Sequence, residues 1–159
     1  MISRRSIIAS SAVVAAVIGL AAGLDAAPAL AQKAPVYTGI VKGVAVGGYD
    51  PVAYFTDAKP VKGNPAIAHD HDGATYYFAS EANREAFKAE PAKYAPQFGG
   101  YCAWAVSQGY TAHGDPTAWT VANGKLFLNY NQSVKQGWEK DIPGNVAKGD
   151  ANWPKVLAK

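Results

Sequence analysis

The sequence predicts an α+β fold, a small antiparallel sheet of hairpins with short helices packed on one side. Three observations carry that prediction. Asp72-Gly73 and Asn123-Gly124 are two-residue hairpin turns set between runs of apolar, aromatic and β-branched residues. Ser80 has the chemistry of a helix N-cap, and Glu90-Pro91 stops the stretch that follows it. Asn131 to Lys140 spaces Val134 and Trp138 at i, i+4, one face of a further helix.

Along the chain, residues 1–31 read as a signal peptide of the twin-arginine type. Ser3-Arg4-Arg5-Ser6 precedes the apolar run from Ile7 to Leu24, and Ala29-Leu30-Ala31 forms the small-residue cleavage pattern. The run approaches the length of a membrane span but is rich in Ala and Gly, so cleavage before Gln32 is expected rather than a retained anchor. The product would be periplasmic, with no membrane contact after cleavage. Residues 32–45 read as an N-terminal extended segment that begins with a short linker, and 46–159 as one domain of ordinary size.

Gly47-Gly48-Tyr49-Asp50-Pro51 is a turn, because a residue before proline is pushed out of helical geometry. Ala66 to Phe78 forms the first hairpin. Gly99-Gly100 then breaks the chain before Tyr101 to Val106, expected as a buried strand or turn. Around Asn123-Gly124 the two-residue loop pairs Ala122 with Lys125, Val121 with Leu126 and Trp119 with Leu128. Trp119, Val121, Leu126 and Leu128 then share one apolar face. Asp141-Ile142-Pro143-Gly144 closes the Asn131 helix, and a short last helix holds Val146.

Charge excludes one class of function. The chain carries 15 Lys and Arg against 12 Asp and Glu, and balance is closer once Arg4, Arg5 and Asp25 leave with the signal. The remaining basic residues are scattered, without the stripe that tracks a phosphate backbone, so nucleic acid is not an expected partner.

Three stretches, Asp72-Gly73-Ala74-Thr75-Tyr76-Tyr77-Phe78, Ser80 to Phe87 and Pro91-Ala92-Lys93-Tyr94, occur in the order of the YHS domain core, which they resemble. The flanks Gly48 to Phe55 and Gly99 to Ala103 resemble the exported, signal-bearing branch of that family. The resemblance implies a small treble-clef-like module of the kind found in copper transporters and other metal-handling proteins. Metal-binding members carry cysteines at the positions matched here by Ala79 and Asn83, and in the turn matched by Gly47-Gly48-Tyr49. A tetrahedral zinc site needs three or four such ligands, so that site does not carry over.

The candidate chemistry therefore rests on other residues. Cys102 is the one cysteine, eleven residues before His113. Thiolate with imidazole suits copper, or else zinc, while a lone Cys among aromatic residues is equally a small buried apolar group. His69 and His71 sit at spacing two, on one face of a strand and roughly 7 Å apart, within reach of one ion. They also flank a turn, where a solvated hairpin tip is the plainer account. Asp50, Tyr54, Tyr101 and Trp104 stand near the Gly-rich turns and are candidates for lining a small-ligand pocket with Asp50 at its mouth. Cys102, His113 and Asp115 read less well as nucleophile, base and orienting group, because nothing marks an oxyanion hole. The expectation is an accessory protein that handles a transition metal, copper before zinc, through Cys102 and a nearby His. The alternative is a non-enzymatic module with a structural cysteine, whose partner is a small ligand or a periplasmic protein.

Overall fold

Both turn signals close hairpins in the computed structural model, which describes residues 32–158. The proposed signal peptide lies outside the described residues. Helix α1 (Ala53–Thr56) precedes the first hairpin, β1 (Asn64–His71) and β2 (Ala74–Phe78), and helices α2 (Glu81–Ala89), α3 (Pro91–Tyr94) and α4 (Ala103–Ser107) follow it. The second hairpin, β3 (Asp115–Ala122) and β4 (Lys125–Asn129), leads into α5 (Gln132–Glu139) and α6 (Ile142–Asn152). The fold is α+β, as the sequence predicts.

Register follows turn chemistry. Asp72 and Gly73, like Asn123 and Gly124, all take positive φ, as the tightest hairpin loop requires. Ala122 pairs with Lys125, Val121 with Leu126 and Trp119 with Leu128, as expected. The hairpins nevertheless form two separate two-stranded sheets. Irregular chain occupies the positions where they would have joined: Val44 bridges to Thr75 of β2, and Cys102 bridges to Leu128 of β4. Covering these edges also removes the templates for intermolecular pairing.

The β3–β4 hairpin separates two hydrophobic cores. On one face Leu126, Leu128, Trp119 and Val121 pack with Tyr54, Tyr76, Phe78 and Phe87. On the other, Phe127 and Ala122 pack with Val106 of α4, Trp138 of α5 and Val156. Helices thus lie beyond both faces of this hairpin rather than on one side, and the face opposite the apolar one expected from the sequence is a core face too.

Two expectations are corrected. Tyr101 to Val106 is neither strand nor simple turn, because residues 103–107 form α4. Its Ala-rich sequence favours helix, and Cys102 supplies the cap, its Sγ accepting from the Ala105 amide at 3.5 Å. Residues 32–35 are not a linker. The Lys33 amide donates to Leu157 at 2.8 Å and the Tyr101 hydroxyl to the Ala34 carbonyl at 2.9 Å. Next to them Tyr37 donates to Gly99 at 2.9 Å. Gly99 takes φ +61° with the Pro35 carbonyl where a β-carbon would stand, so only glycine fits this crossing. The segment is a strap across the domain, with Val36 in one core and Tyr37 against the other.

Candidate functional site

Asp50 is fully buried, not at a pocket mouth. One carboxylate oxygen accepts from the Val52 amide at 2.8 Å. The other accepts from the Ala79 amide at 2.8 Å and from Asn83 Nδ2 at 2.7 Å. The turn before α1, the end of β2 and the first turn of α2 thus converge on one side chain. Ala79 and Asn83 are the two positions that the sequence resemblance matches to metal-binding cysteines, and here both donate hydrogen bonds. Nearby Tyr54 is also buried, and its hydroxyl donates to the Pro116 carbonyl at 2.8 Å.

Cys102 is 1% exposed. Besides capping α4, its thiol points towards Asn129 Oδ1 at 3.8 Å, and the same oxygen accepts from the Trp104 amide at 3.1 Å. Burial pushes the thiol pKa up, and nearby backbone amides of Ala105, Tyr130 and Trp104 oppose this only in part. The thiol is therefore held protonated, a poor nucleophile and a poor metal ligand. It borders a cavity of about 290 Å³ shared with Trp104, Tyr110, Tyr130 and Val134. Tyr101 turns elsewhere, towards Tyr37 and Trp153.

His113 pairs with Tyr101 across an antiparallel bridge. The bridge partner of His113 is thus the residue before Cys102 and not Cys102 itself. The His113 ring packs 4.1 Å from that of Tyr130 and 6.4 Å from that of Tyr37. Asp115 accepts from the amide and hydroxyl of Thr117 at 2.7 and 2.8 Å, a local turn that engages its carboxylate.

His69 and His71 do share one face of β1. Phe87 of α2 packs against both, its ring centre 6.2 Å from the His69 ring and 5.6 Å from the His71 ring. His71 Nε2 lies 3.3 Å from Asp72 Oδ2, whereas Asp70 accepts from Thr75. Among the described residues no three His, Cys, Asp or Glu side chains form a group able to hold a metal ion.

A larger groove, of about 440 Å³, opens beside the β1–β2 turn and is lined by His71, Asp72, Tyr76, Pro96, Phe98 and Trp153 among others. Sequence reasoning placed only His71 in a site. Phe98 and Trp153 join the groove through tertiary packing, their rings 5.9 Å apart. Asn129, the anchor for Cys102 and Trp104, was likewise missed. Its one sequence signal is a polar residue ending the apolar run Leu126–Leu128.

The segment from α1 to the end of the α3 region is the part of the chain with a recognisable counterpart. Residues 52–98 match the YHS domain. No curated protein and no solved structure matches the chain. The YHS segment supplies all three donors to Asp50, which itself stands two residues upstream. It also supplies His69, His71, and the Asp72 and Tyr76 walls of the groove. Cys102, His113 and the second hairpin lie beyond it.

Proposed function

We propose that this chain is a non-catalytic accessory module that binds a small molecule or a protein partner, with Cys102 serving the fold. The observation that carries this reading is the condition of the thiol, which is 1% exposed, caps α4 and has its pKa raised by burial. Sulfur ligation needs thiolate and further donors around one point. The groove beside the β1–β2 turn is the favoured seat, since concave sites with aromatic walls and a few polar groups suit small ligands. The same proposal locates the module in the periplasm on the strength of Arg4-Arg5 and the apolar run after them. Recovery from the periplasmic fraction with Gln32 as the N-terminus tests that part, and recovery with residues 1–31 attached contradicts it.

A second reading is copper or zinc handling through Cys102 and His113. It is favoured by Tyr130, whose ring packs on His113 and also lines the cavity at Cys102. Titration of the reduced mature protein with Cu(I) and with Zn(II), followed by native mass spectrometry, separates the two. The first reading predicts no stoichiometric uptake. One equivalent bound by the parent, and lost in both Cys102→Ala and His113→Ala, would overturn it in favour of the second.

A further inference from the structure

The geometry points to the groove beside the β1–β2 turn as a seat for a small organic cation, an ammonium or guanidinium group carrying an apolar body. The inference rests on the binding-module reading and names its ligand class. The volume, about 440 Å³, falls within the range of small-molecule sites.

Charge is the first argument. Asp72 is the one carboxylate in the lining, and among the described residues no lysine or arginine lines the groove. Its side chain is 68% exposed, open to a ligand while its Oδ2 lies 3.3 Å from His71 Nε2. Aromatic faces come second. Phe98 and Trp153 are aromatic members of the lining, a side-chain class that attracts cations, and Trp153 packs on Phe98 at 5.9 Å and on Tyr101 at 6.1 Å.

Tyr76 is the third and most specific feature. The residue is 1% exposed and lines the groove beside Asp72, and burial together with the Asp72 charge raises its pKa, which keeps the phenol neutral. Oxygen lone pairs on a neutral phenol, beside a carboxylate and under aromatic rings, together fit a positively charged donor and offer little to an anion.

Two substitutions test this without disturbing the fold. Asp72→Asn removes the charge but keeps a hairpin turn, because Asn-Gly serves the two-residue loop as well as Asp-Gly does. Tyr76→Phe keeps the ring in the core and removes only the hydroxyl. The probes are phenethylammonium, the neutral isostere 2-phenylethanol and the anion phenylacetate, titrated into mature protein and followed by NMR. Phenethylammonium should bind about tenfold more tightly than the alcohol, with shifts at His71, Tyr76 and Trp153. The preference should vanish in Asp72→Asn and weaken several-fold in Tyr76→Phe, with thermal midpoints unchanged. Equal binding of cation and alcohol, tighter binding of phenylacetate, shifts elsewhere or no binding of any probe would each overturn the inference. The metal titration tests the sealed-thiol reading separately, so the two can fail independently.

Discussion

Asp50 joins three segments through one carboxylate, and the arrangement makes a sharp demand on that position. Removing it strands the buried Val52 amide and the part-buried Ala79 amide and Asn83 side-chain amide, and an unpaired buried donor costs about 1–3 kcal/mol. Asp50→Ala should therefore destabilise the domain by about 3 kcal/mol or more, measured by urea denaturation. A loss below about 1 kcal/mol would mean that the hub is dispensable.

Cys102 makes a different prediction because it titrates. Its folded pKa lies above its unfolded value, chiefly through burial. Between those two values the unfolded chain has released its proton and the native chain retains it, so stability falls as pH rises. The effect begins near the ordinary thiol range, about pH 8.5, and adds to the later effect of Tyr54 and Tyr76, whose hydroxyls burial also pushes up. In Cys102→Ala the early part of the alkaline decline should disappear while the later part remains. Urea midpoints from pH 7 to 10 check this, and identical pH profiles for the two proteins would contradict it.

At the scale of elements, capping separates what local sequence decides from what it does not. Ser80 Oγ accepts from the Asn83 amide at 3.1 Å and starts α2 where the sequence places it. Ser80→Ala should cost about 1 kcal/mol, visible as a lower thermal midpoint without a change of fold. Both hairpins were legible for a similar reason, since Asp-Gly and Asn-Gly fix turn and register within a few residues. Helix α4 was not. Its cap is a cysteine, an unusual choice, and its Trp104 amide leans on Asn129, 25 residues further along. The burial of Asp50 was hidden likewise, because its partners Ala79 and Asn83 lie 29 and 33 residues away. The pairing of His69 and His71 on one face was readable from strand period, but not the Phe87 ring that packs against both.

For the whole molecule, the strap and the second hairpin make two cores into one unit. The β3–β4 hairpin contributes to both clusters, and residues 33–37 tie Leu157, Tyr101 and Gly99 together. Deleting residues 32–37 removes buried Val36 and three hydrogen bonds. It should lower stability by about 3 kcal/mol while leaving a single cooperative transition. Two separated transitions would show that the cores are independent. The groove belongs to this scale as well, for Pro35 and Trp153 reach it from opposite ends of the described chain, which is why no local motif announced it.

The central claim is that the one thiol is sealed into the fold rather than offered to chemistry. The most direct measurement is the rate at which Cys102 in the native mature protein reacts with a disulfide reagent such as dithionitrobenzoate at pH 8, compared with the same protein in urea. A sealed thiol predicts reaction at least about a hundredfold slower in the native state, limited by opening of the structure. Labelling of the native protein at the rate of the unfolded chain would contradict the account.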